Sequence, residues 1–311
     1  MYPATGQQFS LSLHTKNGLL TAVVTEVGAS LRSLRLGAKD LLQSYPESWM
    51  TPKRAGLVLS PWSNRIDGGL WQHQGQSLQL PINEVAKNNA SHGLLISTAY
   101  RVIAQTPSSI RLTATIFPTA GYPFLITTEV EYSLREQGLL VLHTAMNRSE
   151  YPAPYGVGVH PYFKLGERPL QELTLKSSAK TVLVTNERLI PTGKQAVAGT
   201  DFDLSSGRSV GSPVLDHDFT DLDRDRWGMA HTYLLDEAGE GLDIWQDESF
   251  KHVQYFTPTD FPTENGVVAA LAVEPCTAGP NAFNTKEDLL TIEPNRVWTG
   301  RWGVDLLTNN L

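Results

Sequence analysis

Residues 156–163 read GVGVHPYF and set the ionisable imidazole of His160 between two glycine–valine steps and a Pro-Tyr-Phe cluster. Further on, Glu274 follows directly on VVAALAV at residues 267–273, so a carboxylate sits at the rim of an apolar run. Desolvating a charge there is costly unless the group is paired or used. Three other segments combine polar, titratable residues with glycine, proline and aromatics. SPWSNRIDGG (residues 60–69) carries Trp62, Asn64 and Arg65; ASHGL (90–94) puts His92 before a glycine; LDHDF (215–219) offers Asp216. Taken singly, each has a plain structural reading: Arg65 pairs with a surface acid, His92 sits in a turn, Glu274 caps a loop, His160 is a hydrogen-bonded core histidine. Taken together, they supply imidazole, carboxylate and guanidinium groups able to move protons and hold a polar ligand.

Groups so far apart in the chain meet only through long-range strand pairing, and the hydrophobic pattern is that of strands. LLTAVVTEV (19–27), SIRLTATIF (109–117) and LITTEVEYSL (125–134) alternate or are rich in β-branched residues. REQG (135–138) turns into LLVLHTAMN (139–147) as a hairpin. TYLLD, GLDIWQD and HVQYFTP, between residues 232 and 258, give three more strands. No apolar stripe of helical period runs for three turns; PLQELTLKS (169–177) opens at most as one turn of helix. The expected fold is all-β, a large antiparallel β-sandwich with long loops, and no linker divides residues 1–311, so one domain is expected.

Composition narrows the partners. The 311 residues are 41% hydrophobic and 18% charged, a globular composition with enough apolar material for a core. The net charge is -7 and no basic stripe appears, which argues against nucleic acid. No apolar run approaches the ~20 residues of a membrane helix, and the first residues lack a secretory pattern. With one cysteine, Cys276, a reducing, cytoplasmic setting is expected. The DLDRD run (221–225) lacks the glycine and the bidentate glutamate of a calcium loop. GVG at 156–158 lacks the third glycine of a dinucleotide loop, and no HExxH, Walker A or GxSxG sequence is present. Neither a metal nor a cofactor is expected.

The five segments, in their order along the chain, resemble the aldose 1-epimerase (galactose mutarotase) family: NRI, then His-Gly, then HPYF, then Asp-His-x-Phe, then EP…PNAFN. HPYF after a glycine-rich strand together with the late Glu-Pro is the specific part. The resemblance implies the mutarotase-like β-supersandwich, a small-molecule sugar substrate, no cofactor, and exchange of the α and β anomers of a free hexose. By the same resemblance His160 is the general acid, Glu274 the general base and His92 a second histidine on the ring-oxygen side. Asn64, Arg65 and Asp216 then hold substrate hydroxyls. Read from the residues themselves, Trp62, Tyr162 and Phe163 are candidates for flat apolar faces against the sugar, with ordinary sheet packing the better reading for at least one of the three. The SPWS lead into Asn64 and the single glycine after His92 are closer to epimerase-like members than to dedicated galactose enzymes.

Anomer exchange opens a hemiacetal ring: a base takes the proton of the C1 hydroxyl while an acid protonates the ring oxygen, and closure follows on the other face. Two rival readings stay open. An epimerase for a C6-phosphorylated or sulfonated hexose would need an anion pocket, for which Lys53, Arg54, Lys87, Lys164 and Arg168 lie near the motifs. A non-catalytic carbohydrate-binding sandwich would keep the hydrogen-bonding residues without needing both proton-transfer groups. The scatter of acids among the bases and the net charge of -7 favour a neutral hexose. The sequence leaves the oligomeric state open.

Overall fold

The structure, a computed structural model, describes residues 2–212 and 214–308. Two large antiparallel sheets dominate. The nine-stranded sheet runs, in spatial order, Arg101–Gln105, Ser109–Ile116, Ile126–Arg135, Gly138–Asn147, Val297–Leu307, Gly241–Gln246, Ala230–Leu235, Thr174–Ser177 and Arg208–Ser209. Its central strands show the expected alternation, with Ile126, Thr128, Val130, Tyr132 and Leu134 buried and the residues between them partly exposed. The hairpin expected at residues 135–138 is present, pairing Arg135 with Gly138.

The second sheet carries the site. Its order is Pro191–Ala196, Ala179–Thr185, Asp216–Leu222, His252–Phe256, Leu271–Cys276, Gly158–Val159 and Val58–Leu59, with Tyr162–Phe163 also pairing to Leu271–Cys276. All six residues of Leu271–Cys276 are buried, which accounts for its nearly unbroken apolar run. The VVAALAVE run is divided, however: Gly266–Val268 pairs with Phe261–Thr263 as a separate hairpin, and only Leu271 onward joins the sheet. A four-stranded sheet, Gln8–Thr15, Gly18–Thr25, Leu31–Leu36 and Lys39–Asp40, lies N-terminal to both. Among the described residues helix is confined to short turns, including the expected one at Leu170–Glu172. Among the described residues no helix is long and apolar enough to cross a membrane.

The two large sheets share one continuous core in which Val130, Tyr132, Val141, Leu234, Ile244 and Val304 join Val182, Phe219, Val253, Tyr255 and Val273. Each such side chain contributes about 1.5–3 kcal/mol by leaving water. Two core tyrosines are tied by their hydroxyls: Thr232 Oγ1 lies 2.7 Å from the Tyr255 hydroxyl across the sheets, and the Tyr132 hydroxyl donates to the Ala29 carbonyl at 2.7 Å.

Period two then decides where the polar residues of the second sheet go. Val253, Tyr255 and Val273 enter the core, so Gln254 and Glu274, which face each other in register, occupy the opposite face. The next register brings Asp218 opposite Gln254 on the same face. On the other flank, Gly158 pairs with Cys276 and Tyr162 with Ala272, which sets His160 opposite Glu274.

Candidate active site

Above this polar face is a cavity of about 220 Å³ whose floor includes His160, Asp216, Gln254, Phe256 and Glu274. Its walls come from Lys53 and Arg54 on one side and from Asn64, Arg65, Asn83, Glu84, Ser91 and His92 on the other. Nε2 of His160 lies 3.3 Å from Oε1 of Glu274, and the two side chains are only 7% and 3% exposed. The His92 ring meets His160 edge-on at 5.6 Å. Tyr162 stacks on His160 at 5.1 Å and 29°, and its hydroxyl donates to the Lys53 carbonyl at 3.2 Å. The imidazole of His160 is thereby fixed on one face by an aromatic ring and at one edge by the carboxyl.

A chain of side-chain hydrogen bonds crosses the floor. Arg65 Nη1 donates to Asn64 Oδ1 at 3.1 Å, Asn64 Nδ2 to Gln254 Oε1 at 3.2 Å, and Gln254 Nε2 to Asp216 Oδ1 at 2.8 Å. The other side of the Arg65 guanidinium is held by Glu84 through a two-point pair at 2.8 and 3.0 Å. Every group in the chain has its direction set by its neighbour, so the cavity presents hydrogen-bonding atoms in a fixed pattern.

Two close backbone approaches place the histidines. His92 has φ 63°, and its N–H donates to the Asn64 carbonyl at 2.8 Å. Gly93, at φ +79°, runs against Ser60: a Cβ there would stand 2.1 Å from the Ser60 carbonyl oxygen. No L side chain fits. Asn83 holds the residue before His92 at both backbone ends, accepting from Ser91 N–H and donating to the Ser91 carbonyl, each at 2.7 Å. On the other histidine's strand, a Cβ at Gly158 would meet Cys276 Sγ and Ser63 Cβ at 2.7 Å, so glycine lets the His160 segment lie tight between them.

Burial governs the charges. It pushes the His160 imidazole down to about 3, with Arg54 and Arg65 adding to the effect. His92 is lowered well below the usual range by burial, then by His160 and the same two arginines. Glu274 is raised well above the usual carboxylate range, by burial first and the Asp216 charge second, with Arg65 opposing. Burial thus disfavours both the imidazolium and the carboxylate, and His160 and Glu274 titrate as one coupled unit. The neighbouring Asp216 charge does not offset desolvation at His160; it acts on Glu274.

Six of the nine residues given a site role from the sequence, His92, His160, Glu274, Asn64, Arg65 and Asp216, line the one cavity. Three do not, and their placement corrects the expectation: Tyr162 is 1% exposed and packs between His160 and Phe261 rather than lining the cavity. Trp62 is 3% exposed and packs edge-on to Phe283 at 5.7 Å within the core. Phe163 is fully buried and pairs with Leu271, itself a core residue, because it points to the opposite face from Tyr162. The apolar ring in the cavity lining is Phe256, 6.4 Å from His160. Phe256, Gln254 and Glu84 escaped sequence reasoning. The signal for Gln254 was available: in HVQYF the polar His252 and Gln254 alternate with Val253 and Tyr255. Of the basic residues near the motifs, Lys53 and Arg54 converge on the cavity; Lys164 pairs with Glu167, Arg168 with Asp236, and Lys87 donates to the Glu187 carbonyl.

The layered antiparallel sheets with this polar face are those of the galactose-mutarotase-like β-sandwich. Among solved structures, a GalM/aldose epimerase homologue from Caenorhabditis elegans superposes with a TM-score of 0.82 at 18% identity, covering 97% of this chain and 100% of that one. A galactose mutarotase-like protein from Clostridium acetobutylicum gives 0.81 at 18% identity, covering 96% and 95%. The aldose 1-epimerase family model matches residues 11–304, and the chain belongs to that family. The chain is 32% identical to an uncharacterised Escherichia coli protein, YihR, over 303 residues, 96% of this chain and 94% of the relative. It is 23% identical to the aldose 1-epimerase of Escherichia coli over 269 residues, 81% and 77% of the two chains.

Proposed function

We propose that this protein is an aldose 1-epimerase that interconverts the α and β anomers of a free hexose in the His160–Glu274 cavity. The observation that carries the reading is the 3.3 Å approach of His160 to Glu274 beneath a ring of sugar-compatible donors and acceptors. Mutarotation needs one group to take a proton and another to give one, and a pair sharing a single proton holds both capacities. As a hexose enters between the two groups, the proton of the pair passes from the Glu274 carboxyl to the His160 imidazole. Glu274, as carboxylate, takes the C1 hydroxyl proton, and His160, as imidazolium, protonates the ring oxygen; His92 lies beside His160 on that side. After rotation about C1–C2 the transfers run in reverse on the other face. Asn64, Arg65, Gln254 and Asp216 fix the hydroxyls, and Phe256 offers an apolar face. The test is polarimetry on freshly dissolved aldoses: acceleration above the buffer rate, lost in Glu274→Gln, supports the reading. Binding without acceleration would instead leave a carbohydrate-binding sandwich.

A second reading, an epimerase for a hexose with an anionic C6 group, has one observation in its favour. Lys53 is paired with Asp260 at 2.8 Å and Arg65 with Glu84, but Arg54 has no carboxylate within ion-pair distance among the described residues. A guanidinium left free on a cavity wall suits a phosphate or sulfonate. Comparison of kcat/KM for glucose and galactose with their 6-phosphate and 6-sulfonate analogues decides: a tenfold advantage for the anion that shrinks with salt would replace the neutral-hexose reading.

A further inference from the structure

Far from the reacting pair, Arg188 occupies the turn between strands Ala179–Thr185 and Pro191–Ala196, at the edge of the site-bearing sheet. Its side chain leaves that sheet and caps another segment altogether. Nε donates to the Lys87 carbonyl at 2.8 Å, Nη2 to the Asn88 carbonyl at 2.8 Å and to Asn89 Oδ1 at 3.1 Å, and Nη1 pairs with Asp67 Oδ1 at 2.7 Å. Lys87 and Asn88 end the one-turn helix Val85–Lys87, whose last carbonyls have no partner within the turn. The contact is reciprocal: Asn89 Nδ2 donates to the Arg188 carbonyl at 2.9 Å, and Lys87 Nζ to the Glu187 carbonyl at 3.0 Å.

The turn held in this way begins at Glu84, the residue that grips Arg65 on the cavity wall. Asn89 is the shared node, since Nδ2 also reaches Glu84 Oε2 at 3.3 Å. The backbone closes the same loop through mutual N–H to carbonyl bonds between Glu84 and Asn89 at 3.1 and 3.2 Å. A continuous line of polar contacts therefore runs from Arg188 through Asn89 and Glu84 to Arg65, and on to Gln254 and Asp216. Arg188 itself is absent from the cavity lining.

We propose that Arg188 is a positioning residue: by capping the 85–87 turn it sets Glu84, and through Glu84 the guanidinium of Arg65 that meets the sugar. The inference rests on the cavity being the catalytic site. It assigns Arg188 to binding geometry and leaves proton transfer to His160 and Glu274. Its loss raises KM and spares kcat, because the bond that weakens is present before and during the reaction alike.

The test is steady-state mutarotation by wild type, Arg188→Ala, Arg188→Lys, Glu84→Gln and the Arg188→Ala/Glu84→Gln double variant, with thermal melts of each. The expected result is a KM raised about tenfold in Arg188→Ala with kcat within a few-fold of wild type. Arg188→Lys, which keeps the charge but not the fork, falls between the two. The double variant is no worse than the more impaired single variant, since both act through Arg65. If Arg188→Ala does not fold, Arg188→Lys and Glu84→Gln carry the comparison. A wild-type KM in Arg188→Ala or Arg188→Lys, or full additivity in the double variant, overturns the inference. Failure of the underlying reading looks different: wild type itself shows no acceleration that Glu274→Gln abolishes.

Discussion

His160 and Glu274 stand opposite each other because Gly158 pairs with Cys276 and Tyr162 with Ala272 on neighbouring strands. Sheet register alone therefore delivers the proton-transfer pair. A one-residue slip of the His160 segment would turn the imidazole into the core and bring Val159 or Pro161 to the carboxyl.

Removing the carboxyl proton acceptor tests the pair directly. Glu274→Gln retains shape and hydrogen bonding, and turnover should fall by roughly 10²–10⁴. His160→Asn should fall comparably, and the double variant little further, because the two groups act as a unit. Polarimetry alongside circular dichroism checks this; near-native turnover in either folded single variant would remove that residue from the mechanism.

The pH profile should be broad. The working form carries one proton on the pair. On the acid side it is lost as His160 takes up a second proton, which burial defers to about pH 3. On the alkaline side it is lost as Glu274 ionises, which burial and Asp216 move well above the usual carboxylate range. Plotting log kcat/KM against pH, with the buffer-catalysed rate subtracted, should give a plateau wider than the interval between the ordinary glutamate and histidine values, about 4.3 and 6.5. A narrow bell confined to that interval would contradict the assignment.

Gln254 holds Asn64 and Asp216 in one line. Gln254→Leu keeps the bulk but leaves both partners unsatisfied. Losing a hydrogen bond to a charged group costs about 1.5–3 kcal/mol. KM should rise roughly tenfold or more, with a smaller change in kcat. An unchanged KM in the folded variant would take Gln254 out of substrate binding.

Behind the cavity, buried His252 bonds Asp218 at 2.6 Å and Asp288 at 3.1 Å. Burial opposes its charge, but the two carboxylates prevail and raise it to about 9. A histidine raised on folding stabilises the native state below its unfolded value, about 6.5, and that stabilisation is lost as pH climbs through about 9. The melting temperature should therefore drop between pH 7 and 10 by several degrees. His252→Asn should start lower and show a shallower slope. Parallel slopes for the two proteins would show that His252 is not the group responsible.

The alternating strands, the hairpin at 135–138 and the ordered polar segments were all readable from the chain, because period two and turn chemistry are local properties. The cavity was readable only in part. His160, Glu274 and Asn64 announce themselves as polar groups among glycine, proline and apolar residues. Glu84 sits in INEVAKNN, where nothing local separates it from any exposed acid, and only the fold carries it to Arg65. Trp62 and Phe163 went the other way: aromatics beside catalytic residues suggest a sugar platform, yet strand alternation sent Phe163 inward and Phe283 drew Trp62 into the core. Tyr162 and Phe256 are instead the rings that contact His160.

Gly93, pressed against the Ser60 carbonyl, has a bearing on how this protein can be re-engineered. In a saturation library position 93 should be a column with one surviving letter, while the partly exposed Leu94 beside it should accept many. The His92 wall is consequently a fixed template. Adaptation to a differently decorated sugar has to begin across the cavity, at Lys53 and Arg54, where the chain bends through positive φ and the Arg54 guanidinium has no ion-pair partner among the described residues.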